Sequence, residues 1–383
     1  MNCSVNCIVY WCFKMSTWFP EQPKAWYHKM CIRILEFGPI PKHVAVIMDG
    51  NRRFAVKNSM DRAEGHLKGF DKLTEVLEWC LDIGITEVTV YAFSIENFKR
   101  SKEEVDCLME LARKKFKRLM EEKDKIKEYG VCVRVLGNVS LLPSDIQEII
   151  AEVVTFSKDN TRAILNVCFA YTSRDEMCTA MKEIAEGVSL GLIKDSDVSE
   201  ALLEKSLYTG NSPNPDLLVR TSGEVRLSDF LLWQTAYSCL AFVKVLWPEF
   251  SRWHLYGCIL HYQRNYQQLQ RAKEQNEADQ LRLQRESDYE IVAQEMDQSE
   301  TKSLHTLAKQ YANDRENRVN NFVQYLHEKR DKFFHDIATK SKKRINGDVT
   351  VEINDSDNWM TLPFKSMIVV TDIITIQSDG SDY

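Results

Sequence analysis

Apolar residues along this chain fall into two rhythms. Short, nearly unbroken runs at Val44–Met48, Val88–Phe93, Val131–Leu136, Ile164–Phe169 and Leu217–Arg220 read as strands buried on both faces, and Ala241–Val243 reads as a sixth. Between them the apolar positions recur at helical spacing. Leu73, Val76, Leu77 and Cys80 form one such face, closed by Gly84. Val105, Leu108, Met109, Ala112, Phe116, Leu119 and Met120 form a longer stripe on a charged helix, which the stretch Glu121–Tyr129 extends. Ser144–Phe156 and Arg174–Gly187 complete the set. Strands alternating with helices of this length predict an α/β fold with a six-stranded, mostly parallel sheet flanked by helices.

The pattern divides the chain into four parts. Residues 1–38 form an N-terminal segment with an amphipathic helix over Pro23–Phe37, whose Trp26, Met30, Ile34 and Phe37 share one side. Lys24, His28, Lys29 and Arg33 add positive charge, which suits either an interfacial helix on a membrane surface or packing on its own domain. Residues 39–270 carry the alternating strands and helices. Over 271–345 Gln, Glu, Lys and Arg dominate, while Val319, Phe322, Val323 and Leu326 still mark a stripe that must be buried against something. This is a C-terminal helical extension suited to assembly. Residues 346–383 are Ser- and Asp-rich and read as a disordered tail.

Composition narrows the function. A net charge of -6 argues against a general nucleic-acid binder, so any basic site must be local. The eleven cysteines include no CxxC pair, and the cluster Cys3, Cys7, Cys12 has no matching second group. Reduced thiols in a cytosolic compartment are expected, with the sequons at Asn2, Asn138 and Asn354 unmodified. No run reaches the ~18 apolar residues of a spanning helix, and Lys14 follows rather than precedes the apolar Cys7–Phe13, unlike a secretory leader.

Three predicted strands end in chemistry. Val44–Met48 runs into Asp49-Gly50-Asn51-Arg52-Arg53; Val88–Phe93 into Ser94-Ile95-Glu96-Asn97-Phe98-Lys99-Arg100; and Leu217–Arg220 into Thr221-Ser222-Gly223-Glu224-Val225-Arg226-Leu227-Ser228. Open α/β sheets bind ligands at the carboxyl ends of their strands. Asp49 suits a divalent metal, whereas Asn51, the guanidiniums and the amides around Gly50 suit phosphate oxygens. Arg52, Arg53, Arg100, Arg220 and Arg226 on one edge supply charge for two diphosphates side by side. His66, in the pair Gly65-His66 at a helix start, reads as a structural hydrogen-bonding histidine.

The strings MDGNRR, GH, AFSIENFKRS, RTSGEVRLSDFLLWQ and LWPEF closely resemble the cis-prenyltransferase (undecaprenyl diphosphate synthase-like) family over about Pro39–Gln270, and within it the eukaryotic dolichol-pathway catalytic subunits. The resemblance implies that isopentenyl diphosphate units are condensed onto farnesyl diphosphate. The product would be a long polycis-polyprenyl diphosphate for dolichol synthesis and protein glycosylation. By motif, Asp49 would bind Mg2+. Gly50, Asn51, Arg52, Arg53 and Arg100 would hold the allylic diphosphate, and Arg220, Arg226 and Ser228 the isopentenyl diphosphate. Ser94 and Asn97 would sit by the reacting carbons, with either Asn97 or a diphosphate oxygen taking the proton. The long apolar stripe, with Leu73, Val76 and Leu77, would wall a tunnel for the product.

One departure matters. Homodimeric members end in an Arg-x-Gly motif that completes the neighbouring site, and Tyr262–Gln270 here has none. The resemblance therefore implies a heteromer with a noncatalytic, Nogo-B receptor-like subunit supplying that motif, at the cytosolic face of the endoplasmic reticulum membrane. A noncatalytic accessory subunit would lose the Asp-Gly-Asn-Arg-Arg turn, which is intact. An aspartyl phosphohydrolase would need a second Asp where Asn51 stands, and a trans-prenyltransferase an Asp-Asp-x-x-Asp. Rossmann and P-loop glycine patterns are missing.

Overall fold

The computed structural model describes residues 18, 26–210, 212–295 and 303–345. The cysteine cluster at 3, 7 and 12 and the tail over 346–383 lie outside them. Residues 1–341 form one compact unit. Of a second, 342–383, only the final helical residues are described.

Six strands, β1 (His43–Ile47), β2 (Glu87–Ser94), β3 (Val131–Leu136), β4 (Ala163–Tyr171), β5 (Leu217–Arg220) and β6 (Cys239–Phe242), form one sheet in the order β3-β4-β2-β1-β5-β6. Every pairing is parallel, so all carboxyl ends share one edge. β1 is central and wholly buried because both faces are covered. Val44 and Val46 enter the larger core, Ala45 and Ile47 a smaller one with Tyr171, Phe230 and Leu231.

Among the described residues ten helices accompany the sheet. On the Val44 face lie α3 (Arg62–Ile83), α4 (Lys102–Glu121) and α6 (Ser144–Ser157), which contribute Leu73, Val76, Phe116, Leu119 and Ile150 to the larger core. The expected extension of α4 to Tyr129 is corrected: the helix stops at Glu121, and α5 (Lys123–Tyr129) is separate. Glu122 at the break is buried, its carboxylate accepting from Arg118 Nε at 2.9 Å and from the Trp18 amide at 3.0 Å. The continuous charged pattern hides the break, where a distant residue meets Glu122.

The amphipathic N-terminal helix, α1, is observed over Trp26–Leu35. Leu35 turns inward, and Tyr27 stacks on Trp253 of the long α9 (Arg252–Glu295) with ring centroids 6.4 Å apart. The predicted face points out: Trp26 is 74% exposed and Phe37 92%. α9 runs through residue 270, the expected domain boundary, without interruption.

α7 (Ser173–Ser189), α8 (Glu200–Ser206) and α10 (Leu304–Ile345) share a third core, where Val319, Phe322 and Leu326 meet Ile184 and Leu202. A side chain at Gly187 would fall 2.3 Å from the Phe322 ring, so a glycine is required there for α10 to approach. Arg318 donates two bonds to the Asp197 carboxylate, at 2.8 and 2.7 Å. The C-terminal stripe is thus buried against the same compact unit as the sheet.

Candidate active site

The turn after β1 is built to reverse quickly. Gly50 has φ +109°, a left-handed conformation that disfavours side chains, and it caps the short helix α2 (Asn51–Lys57). A Cβ there would also come within 3.0 Å of Leu246. Asn51, Arg52 and Arg53 therefore start a helix at the mouth of the site. The Asp49 backbone is clamped from two sides: its carbonyl accepts from Thr221 Oγ1 at 2.7 Å and from the Trp247 amide at 3.0 Å. Trp247, fully buried, in turn donates its ring N–H to the Gly69 carbonyl at 2.6 Å.

The Asp49 carboxylate meets Arg220, at the end of β5, with Nη2 2.9 Å from Oδ2. Its other oxygen is 4.0 Å from Arg53. Burial pushes the Asp49 carboxyl up, but Arg220, Ser222 and Arg53 outweigh it and hold the group below the usual carboxylate range. Arg220 is 3% exposed and also donates to the Arg226 carbonyl and, at 2.8 Å, to Ser228 Oγ. Arg53 donates to Ser222 Oγ and lies 3.7 Å from Glu224, which also pairs with Arg226.

A second group forms around Glu104 in the first turn of α4. Arg100 approaches its carboxylate to 2.8 Å, and Arg52 and Arg62 each to 3.7 Å. Ser94 and Asn97 close the turn between β2 and Arg100: the Ser94 amide donates to Asn97 Oδ1 at 3.0 Å, and Ser94 Oγ accepts from the Glu96 amide at 3.2 Å. The Asn97 carbonyl accepts from the Arg100 amide at 3.1 Å, and among the described residues no side-chain hydrogen bond joins this pair to Asp49 or the arginines. Across the edge, six guanidiniums (52, 53, 62, 100, 220, 226) face three carboxylates (49, 104, 224). The edge is locally basic within an acidic protein.

Below the turn an apolar cavity of about 130 Å³ opens between α3, α4 and the sheet. Asn51 and His66 form a polar end beside Met48, and Leu73, Ala112 and Phe116 line it further on. A second cavity of about 70 Å³, with Leu77, Leu119 and Ile126, lies toward the amino edge of the sheet, and Trp18 borders both. Of the predicted wall, Leu73, Leu77, Leu108, Ala112, Phe116 and Leu119 line these spaces, whereas Val76 packs into the solid core.

Two polar atoms at the cavity mouth, Asn51 Oδ1 and His66 Nε2, are buried with no hydrogen-bond partner. His66 is thus not the satisfied structural histidine expected. Burial first, then Arg100 and Arg52, lower its pKa against the opposing Glu104, so it is neutral at pH 7. Sequence reasoning gave Glu104, Arg62, Tyr91 and Trp247 no role here. The Arg100–Glu104 spacing of four residues at a helix start was the available signal.

A basic edge beside an apolar cavity is an arrangement suited to a ligand with an anionic head and an apolar tail. The chain belongs to the prenyltransferase family described as undecaprenyl diphosphate synthase, the cis-prenyltransferases, which it matches over residues 47–270. It is 51% identical over 335 residues to the dehydrodolichyl diphosphate synthase complex subunit of Homo sapiens, covering 85% of this chain and 99% of that one. A tritrans,polycis-undecaprenyl-diphosphate synthase of Pyrococcus horikoshii is 47% identical over 62% of this chain and 90% of its own. Among solved structures, lavandulyl diphosphate synthase from Lavandula x intermedia, in complex with dimethylallyl diphosphate, superposes with a TM-score of 0.56 at 32% identity. That match covers 58% of this chain and 95% of the other. The protein is a cis-prenyltransferase, similar to the dehydrodolichyl diphosphate synthase complex subunits.

Proposed function

We propose that this edge joins the C4 carbon of isopentenyl diphosphate to the C1 carbon of farnesyl diphosphate, and repeats the step on each product. The observation that carries the reading is the Asp49–Arg220 pair, which joins the turn after β1 to the end of β5 at an edge whose Met48 and Asn51 line the apolar cavity. In this reading the amides of Gly50 and Asn51, with Arg52, Arg53 and Arg100, hold the allylic diphosphate. Arg220, Arg226 and Ser228 hold the second diphosphate. As the allylic C–O bond breaks, charge accumulates on the leaving diphosphate, and guanidiniums aimed at it stabilise that separation. The new C–C bond forms, and C2 of the isopentenyl unit loses a proton to leave a cis double bond. Asn97 Oδ1 already accepts from the Ser94 amide, and an amide is a weak base. The proton acceptor is therefore assigned to a diphosphate oxygen, with Ser94 and Asn97 shaping the turn beside it.

The donor set fits Mg2+. Among the described residues no cluster of three or more His, Cys, Asp or Glu forms a protein cage. Asp49 offers one ionised, partly exposed carboxylate at the mouth, as suits a cation shared with substrate phosphates and waters. Bound there, the ion would neutralise the leaving diphosphate.

The chain is further proposed to work beside a noncatalytic subunit of the Nogo-B receptor type. The stretch where homodimeric relatives carry Arg-x-Gly is here internal to α9, which continues to Glu295. Among the described residues no helix is long and apolar enough to cross a membrane. The exposed Trp26, Met30, Ile34 and Phe37, extended by Trp253 at 58% exposure, suit peripheral attachment to the cytosolic face of the endoplasmic reticulum.

Incubating the chain with farnesyl and isopentenyl diphosphates and Mg2+, with and without such a partner, tests the whole reading. Sized products that appear strongly only with the partner are expected. No prenyl product under either condition overturns the reaction, and full turnover by the chain alone overturns the heteromer.

A further inference from the structure

Tyr91 stands between the two halves of the site. Its hydroxyl donates to the Ser228 carbonyl at 3.3 Å and the Tyr171 carbonyl at 3.2 Å, one proton shared between the loop after β5 and the end of β4. The ring is fixed independently of these bonds. It lies on fully buried Phe230, centroids 4.6 Å apart and planes 15° from parallel, with the Tyr171 ring edge-on to both. The β2–β4 register slips immediately beyond Tyr91, before Phe93, as a local irregularity in the ladder.

What Tyr91 holds is a segment that needs holding. Ser228, Asp229 and Leu231 have φ of +51°, +59° and +47°, a left-handed region that residues with side chains rarely adopt. External bonds keep them there: Tyr91 on the Ser228 carbonyl, the Ser173 amide on the Asp229 carbonyl at 2.8 Å, and Arg174 on the Asp229 carboxylate at 2.8 Å. Ser228 Oγ then accepts from Arg220, which continues to Asp49. Burial pushes the Tyr91 hydroxyl well above its ordinary pKa, so it remains a donor across the neutral range.

We propose that Tyr91 is a positioning residue for the second diphosphate: through the Ser228 carbonyl it sets the left-handed turn that aims Ser228 Oγ and Arg220, and it links that turn to the end of β4. The inference rests on the assignment of Arg220, Arg226 and Ser228 to isopentenyl diphosphate made above. Its ring and its hydroxyl have separable jobs, packing and aim.

The test compares full-length wild type, Tyr91→Phe and Tyr91→Leu. Isopentenyl diphosphate binding is measured by calorimetry with Mg2+ and farnesyl thiodiphosphate, a slowly reacting allylic analogue, so that turnover is not needed. Thermal melting and binding of the analogue itself are followed in parallel. Tyr91→Leu is expected to lower the melting temperature and weaken isopentenyl diphosphate binding. Tyr91→Phe is expected to restore melting and analogue binding while isopentenyl diphosphate binding stays about three- to tenfold weak. Full restoration of both by Phe overturns the proposal, since the ring alone would then suffice. A Tyr91→Phe that melts early and loses both ligands equally also overturns it, in favour of a purely structural role. Wild type that binds neither diphosphate, alone or beside the noncatalytic subunit, refutes the functional reading itself, an outcome distinct from equal binding by wild type and variant.

Discussion

Arg220 and Asp49 meet across neighbouring strand ends, Nη2 to Oδ2 at 2.9 Å, with the arginine 3% exposed and the aspartate side chain 32% exposed. The pair is asymmetric: the buried cation depends on the more exposed anion. Replacing Asp49 by Asn keeps the shape and removes the charge. Turnover with Mg2+ should fall about 10²–10³-fold. Stability should fall by about 1–3 kcal/mol, between the values for an exposed pair and a broken buried one, because water reaches the aspartate. Single-turnover product formation and a thermal melt check both, and undiminished turnover would remove Asp49 from the chemistry.

Glu104 occupies the charge that a diphosphate would claim. Arg100, Arg52 and Arg62 all face it. Glu104→Gln should tighten inorganic diphosphate binding about fivefold, by removing a competing anion, and should slow turnover, because Arg100 loses its tether. Calorimetry with diphosphate and steady-state rates separate the two effects. Weaker diphosphate binding would show that Glu104 organises the arginines rather than competing for them.

Ala112 lines the first cavity and is 8% exposed, so a larger side chain has to enter the empty space. Ala112→Phe should shift the polyprenyl products to shorter chains, with about 1–3 kcal/mol lost to overpacking. Chromatographic sizing reads the result. An unchanged length distribution would mean that the growing chain runs elsewhere.

His43, 1% exposed, bonds the Pro213 carbonyl through Nδ1 at 2.6 Å and Thr89 Oγ1 through Nε2 at 2.7 Å. Burial lowers its pKa below 6.5, against the opposing influence of Glu87. The folded state then binds fewer protons than the unfolded one, so its contribution is fully present above pH 6.5 and is lost as pH falls toward the folded value. Urea unfolding at pH 7.5 and 5.5 should show the decline. His43→Gln should be less stable at pH 7.5 yet show a shallower decline, whereas an identical pH dependence in the variant would assign the effect to other groups.

The strand ends were the legible part. β1, β2 and β5 announce themselves because a doubly covered strand must be apolar throughout, which makes the change to Asp49, Ser94 or Thr221 abrupt. What stayed hidden depends on residues distant in sequence. A charged helix reads as a solvated face, so Glu104 gives no sign that Arg52 and Arg62 arrive from another helix. Nothing between Glu121 and Lys123 breaks helices, and the buried carboxylate of Glu122 at the interruption is met by the amide of Trp18, far away in sequence. The stripe of Val319, Phe322 and Leu326 declares that it needs a cover without naming it, because periodicity describes one surface and not its complement. His66 was misread for a similar reason: whether a buried ring nitrogen has a partner is decided by neighbours that pattern cannot reveal.

The turn at Gly50 has one further consequence. Met48 and Asn51 border the apolar cavity while Asp49 and Arg53 face the charged edge, so four residues divide oily from ionic surroundings within a single reversal of the chain. An amphiphile held there can lie only one way round. If successive units are added at the head, the reacting end returns to the same atoms each cycle, and the local chemistry keeps no count of units already joined. Any count must be taken at the far end, where the tail meets Trp18 and the second cavity beyond it.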